Sequence, residues 1–520
     1  MRFLFLFPLL LFLACSKPQR QEQAPPVEPL ATDLDGKALA AVHCSRCHAL
    51  VAPDLLPKAS WKEDVLPAMG HRLGIYEGAH QPDALFDQGV SGQVVREAHV
   101  FPEQPMLARQ DWLKLVAYYI DNAPDTIIAP QRESPITMGI AQFRYKEASL
   151  AHRPALTTLV KIRPGKGLVF SDSKRNIITF LSPSLQEEYS LPLPASTVGY
   201  EERQGQVYLT TTGRGVFPTD ASNGGFYQFA QDPMGRMVRS GRLLIDRLQR
   251  PVQLTIADLN QDGQEDILAC EYGNQTGALV WYEQKVPGSY TKHILRDLPG
   301  AVSTVVEDMN HDGLPDVLVL MAQGDEGIFL FKNLGKGRFE EKRLLTFLPL
   351  NGSQYIELAD FNDDGLNDIL YVCGDNADKT PILKPYHGVY IFLNKGEDRF
   401  EQTFFYPLNG AYKAVARDFD LDGDLDIAAI AFFPDYVRQP EESFVYLENK
   451  GRMRFSGSSL PEATRGRWIV MDAGDIDGDG DVDLALGSFV YFQAQGDTTG
   501  LGEKWLKTGP SVVVLENKAK

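Results

Sequence analysis

The chain has 520 residues, of which 43% are apolar and 23% charged, with a formal net charge of −18 at pH 7. An acidic chain without a basic stripe excludes nucleic acid as the expected partner. Five cysteines are too few for an exported scaffold built on disulfides.

The N-terminus, MRFLFLFPLLLFLAC, has a positive start at Arg2, a run of apolar residues, and small Ala14 before Cys15. That layout reads as a signal peptide over residues 1–14. The run is shorter than the roughly 20 apolar residues a spanning helix requires. It resembles a bacterial lipoprotein signal, although Phe12 stands where leucine is usual, and the resemblance implies lipidation of Cys15. Free secretion after ordinary cleavage is the alternative. Residues 15–32, rich in Pro and Gln, then form a flexible linker. The expected location is therefore outside the cytoplasm, in the periplasm or at the outer membrane or cell surface, held by a lipid anchor.

Cys44, Cys47 and His48 form C-x-x-C-H, a spacing compatible with haem, zinc or a redox disulfide. Zinc wants four ligands, and no second ligand pair lies near. A thioredoxin-like site belongs beside a βαβ pattern, which the flanks lack. Two thiols for thioether links and an adjacent histidine for iron match one covalent haem c. Cys270 and Cys373 remain and read as buried free thiols.

Residues 33–126 suit a small helical domain. A helix starting at Asp33 or Asp35 carries the motif; a second, SWKEDVLPAM, is capped by Ser60; a third, ARQDWLKLVAYYIDNAP, places Trp112, Leu115, Val116, Tyr119 and Ile120 at helical spacing and stops at Pro124. This layout resembles a class I cytochrome c. Trp112, Tyr118 and Tyr119 read as packing around the haem edge. Candidates for a sixth iron ligand are Met69, Met106, His71, His80 and His99. The run WKEDVLPAM resembles the ligand-bearing helix of bacterial monohaem cytochromes, which implies Met69 as the ligand and leaves Met106 to core packing.

From Asp258 one loop recurs five times: DLNQDGQED, DMNHDGLPD, DFNDDGLND, DFDLDGDLD and DIDGDGDVD. Side-chain oxygens at positions one, three, five and nine, a backbone carbonyl at seven and glycine at six describe a calcium loop. The expected ligands are Asp258, Asn260, Asp262, Gln264 and Asp266; Asp308, Asn310, Asp312, Leu314 and Asp316; Asp360, Asn362, Asp364, Leu366 and Asp368; Asp418, Asp420, Asp422, Asp424 and Asp426; and Asp475, Asp477, Asp479, Asp481 and Asp483. Strands rather than helices flank each loop, and position twelve lacks the glutamate of an EF-hand. The loops hold 21 acidic side chains, so up to five Ca²⁺ would bring the net charge to about −8.

The repeat length suits one four-stranded propeller blade per loop. The units resemble the FG-GAP or VCBS repeats of integrin-α-type propellers. Two weaker blades, LTTLVKIRPGKGLVFSDSKRNIITFL and GQVYLTTTGRGVF continuing to GGFYQFAQD, precede them. The fold class is thus a small all-α cytochrome c domain followed by an all-β seven-bladed propeller over 134–520, with residues 143–150 supplying the last outer strand beside SVVVLENK. The face opposite the calcium loops collects 373–390, 432–443 and 489–510, with Gln354, Tyr355, Tyr412, Lys413, Arg467 and Trp468, and could take a small molecule, a carbohydrate or a protein. The architecture resembles bacterial fused cytochrome c and VCBS-repeat proteins. It implies an electron carrier with an unknown redox partner protein; the alternatives are a propeller dehydrogenase using its own haem as acceptor, and a calcium-dependent carbohydrate-binding or adhesion protein with accessory haem.

Overall fold

A computed structural model describes residues 29–77, 82–128, 132, 134–213, 215–377, 381–491 and 498–519. The signal segment 1–14, Cys15, most of the linker and His80 lie outside the described residues. Within the described residues no helix is long and apolar enough to cross a membrane.

Seven four-stranded antiparallel sheets form a closed ring. Blades 1 to 6 cover 157–192, 197–248, 251–296, 301–346, 353–407 and 411–459. Blade 7 takes three strands from the C-terminal end, Trp468–Gly474, Asp483–Ser488 and Val512–Asn517, and its outer strand from Phe143–Glu147. Phe143 lies opposite Asn517 in antiparallel register, the closure expected from the sequence. Thr137–Met138 adds a short parallel strand outside blade 6. The second strand of six blades is buried along its full length, which explains continuous apolar runs such as DVLVLM and DIAAIA: each is sandwiched between neighbouring blades. Outer strands such as FEEKRLLT are largely exposed. Cys270 and Cys373 are buried free thiols in blades 3 and 5, and burial pushes both up to about 12.

The N-terminal region is a set of short helices. Asp35 caps Gly36–His43 by accepting from the Ala38 N–H at 2.8 Å. A Cβ on Gly36 would lie 2.2 Å from the Lys114 carbonyl oxygen, so glycine lets this helix cross closely over Arg109–Asn122. The middle helix differs from the sequence reading: it runs through Lys58–Ser60, a π-helical stretch Trp61–Val65, and Leu66–Arg72. Ser60 is helical and makes no cap; Pro57, already extended, starts the helix instead. A further helix, Val90–Glu97, follows Gly89.

Candidate functional site

The five aspartate loops all lie between first and second strands, on one face of the ring. In four of them the same bonds recur: the first aspartate accepts from the N–H groups of positions five and six, as in Asp262 N to Asp258 Oδ1 (3.1 Å) and Gly263 N to Asp258 Oδ2 (2.9 Å). In the last, Asp475 accepts instead from Gly478 and Gly480. Glycine at position six has φ between 82° and 98°, which fixes its identity. The ninth residue is a staple. Asp316 is buried, and its two oxygens accept from Met309 N (3.2 Å) and Asn333 N (2.7 Å), tying the loop to the third strand.

The Asn ending four third strands extends that staple. Asn333 Nδ2 donates to Leu259 O (2.8 Å) in the neighbouring blade and to Pro315 O (2.9 Å), and Asn517 Nδ2 reaches Phe419 O (2.8 Å) and Val482 O (3.0 Å). The recurrence of this asparagine in the sequence, at the ends of FKN (Asn333), FLN (Asn394) and LEN (Asn449 and Asn517), is the signal that points to this role.

The loops fit a hard cation. Side-chain oxygens of Asp418, Asp420 and Asp422 lie within 4.8 Å of one another, as do those of Asp475, Asp477 and Asp483. Both Asp481 carboxylate oxygens and one of Asp424 are buried without a hydrogen-bond partner, and burial together with the neighbouring loop aspartates raises the proton affinity of both side chains. Burial, reinforced by adjacent aspartates, pushes Asp426 up to about 7 and Asp483 to about 6. Ionising such a cluster without a cation is costly.

The second site is a cavity of about 450 Å³ in the helical region, lined by Cys44, Cys47, His48, Met69 and Met106 among apolar Leu56, Trp61, Leu66, Leu73, Trp112 and Leu115. Both thiols are free. His48 Nδ1 is 2.8 Å from the Ala49 carbonyl; donation there leaves Nε2 with its lone pair available to a metal. Trp61 stacks obliquely on Tyr119 (4.3 Å between rings) and donates to Pro53 O (2.8 Å), while Tyr119 donates to Val51 O (3.0 Å), fixing the segment after the motif. An apolar crevice lined by two thiols, two histidines (His43 and His48) and two thioethers fits a covalent haem. Met106 is 40% exposed on the cavity wall and not packed in the core; its backbone N–H bonds Leu73 O at 2.8 Å. His71 stacks on Tyr76, and neither His71 nor His99 lines the cavity.

On the face opposite the aspartate loops, the expected open aromatic residues are mostly committed. Trp468 is core, donating to Ala463 O, and Arg467 is buried 3.8 Å over the Phe432 ring. Tyr355 and Lys413 face a central channel of about 590 Å³, the ammonium 4.7 Å above the phenol ring, and burial lowers the affinity of Lys413 for its proton.

Residues 258–319 and 308–371 match the FG-GAP-like repeat. The propeller carries FG-GAP repeats. A 79-residue stretch is 42% identical to integrin alpha-PS5 of Drosophila melanogaster, covering 13% of this chain and 8% of that protein. Among solved structures, virginiamycin B lyase from Staphylococcus aureus aligns over 72% of this chain and 100% of its own at 10% identity and TM-score 0.46. The N-terminal domain of Nup159 aligns over 74% of this chain and 98% of its own at 12% identity and TM-score 0.41.

Proposed function

We propose that this is an exported, lipid-anchored c-type cytochrome whose FG-GAP propeller binds calcium and recruits a redox partner. The observation that carries the reading is the crevice itself: two free thiols, a histidine oriented through Nδ1, and two thioethers converge on one apolar cavity. Cys44 and Cys47 would attach the haem, His48 would hold the iron on one side, and Met69 on the other. When bound, haem c supplies one-electron transfer. The chain's own residues then exclude water through Leu56, Trp61 and Trp112, and keep His48 in the tautomer that leaves Nε2 free. A thioether at the distal position blocks small ligands, which favours relay over catalysis.

Calcium in the five loops would fix the ring by neutralising carboxylates that link adjacent strands. The test of the relay is spectroscopic: protein produced with working haem c maturation should be reduced by a mild donor and, once reduced, should not bind carbon monoxide. Ready carbon monoxide binding would overturn the relay and favour the dehydrogenase reading.

A further inference from the structure

The first strands of the seven blades surround the central channel, and each has a register shift just before its third residue. Bulges of this kind re-aim a side chain. Six of the residues that follow the shift are neutral, among them Gln253, Ser303 and Tyr355 of blades 3 to 5; in blade 6 the residue is Lys413. All four line the cavity of about 590 Å³. Gln253 is committed to the next strand, donating through Nε2 to Thr304 O (2.9 Å) and accepting at Oε1 from Thr304 N (3.0 Å). Lys413 has no such tie: half-buried, its ammonium stands 4.7 Å from the centre of the Tyr355 ring and makes no hydrogen bond or ion pair among the described residues.

The two carboxylates that act on Lys413 through space are each held by another cation. Asp472 accepts from Lys161 Nζ (3.0 Å) and from Ile162 N (2.8 Å), and Glu357 pairs with Arg417. The second oxygen of Glu357 is itself buried, without a hydrogen-bond partner. Glu307, also on the cavity wall, is exposed at the other end of its strand, next to Asp308. Around Lys413, then, the cations Lys161, Lys413 and Arg417 outnumber the carboxylates Glu357 and Asp472 by one. The remaining wall is hydrocarbon: Val252, Val302, Val305, Ile356 and Leu358.

We propose that the central channel of the propeller binds a small organic carboxylate, its anionic head on the Lys413 ammonium and its apolar body along the valines of blades 3 and 4. The ammonium has three N–H donors and only a ring face to meet them, so a carboxylate supplies the acceptors it lacks. Burial opposes the charge of Lys413, and an anion brought in from outside offsets that cost. The cavity falls within the roughly 300–1,000 Å³ typical of small-molecule sites. The site uses propeller residues only and does not depend on the haem reading.

The test is isothermal titration calorimetry on the full-length protein in a buffer free of carboxylates, with hexanoate as the probe and hexanol and inorganic phosphate as controls. Hexanoate should bind saturably and more tightly than either control. Lys413→Met should weaken it about tenfold or more, the loss of a charge-assisted hydrogen bond, while Lys413→Arg should retain it. Absence of saturable hexanoate binding, or equal affinity in Lys413→Met, would overturn the proposal. Hexanol binding as tightly would remove the anion from it, and phosphate binding as tightly would remove the organic body. A second arm needs no variant: in native protein hexanoate should slow reductive methylation of Lys413, read by peptide mass spectrometry, and leave half-exposed Lys395 unaffected. Equal rates at Lys413 with and without hexanoate would contradict the proposal, and a Lys413 that resists methylation without hexanoate would show the channel closed and contradict it equally.

Discussion

Glu326→Gln should stabilise the propeller, and only above the acid range. Glu326 is 3% exposed; its Oε2 accepts from Ser353 Oγ (2.7 Å) and Ser353 N (3.2 Å), and Ser353 Oγ lies 2.7 Å from the Tyr371 hydroxyl. Burial raises the carboxyl from 4.5 to about 8 in the folded chain. The folded state therefore holds a proton that the unfolded state releases between those values. Stability from this group is intact below 4.5 and falls as pH rises toward 8. At pH 7 the cost is about 3 kcal/mol, taking about 1.4 kcal/mol per pH unit across the interval already crossed. Glutamine keeps an acceptor for Ser353 and removes the ionisation. Denaturant unfolding of native and variant protein, followed by near-ultraviolet circular dichroism from pH 4.5 to 8, should give coincident stabilities at the acid end and a growing advantage for the variant. Parallel pH profiles would refute the reasoning.

Chelation should lower the melting temperature of the propeller, since a cation at about 100 times its dissociation constant contributes about 2.7 kcal/mol per site; unchanged melting after confirmed metal removal would count against calcium. Asn517→Ala should cost about 2 kcal/mol in denaturant unfolding, because Val482 O loses a buried donor while Phe419 O keeps only Gln142 Nε2. Met69→Ala should abolish the methionine-to-ferric band in the near red and admit carbon monoxide, whereas Met106→Ala should do neither; the reverse pattern in the spectra would transfer the ligand role to Met106.

The propeller was legible because its loops repeat a chemistry with few alternatives, and because the last blade visibly lacked an outer strand that 143–150 could supply. The first strand of blade 2, Thr197–Arg203, was not seen: TVGYEER alternates too weakly, since its side chains are mostly only half-buried. Val90–Glu97 starts after Gly89 with no capping side chain, so nothing local announced it. Met106 read as core because, in FPEQPMLARQDW, it abuts the last helix more closely than a ligand-bearing loop would allow, whereas its side chain is 40% exposed on the cavity wall. That propeller loops reach the cavity could not be read at all, since Gln323, Leu350 and Ile382 belong to ordinary-looking loops whose place on its wall is set by the tertiary fold.

The central claim is that Cys44, Cys47 and His48 make this chain a haem protein. Intact-mass measurement of the protein, produced in a host with haem c maturation and denatured before analysis, tests it most directly. The account predicts a mass raised by one covalently held haem, lost in Cys44→Ala/Cys47→Ala; a native mass equal to that of the polypeptide and any lipid alone would contradict it.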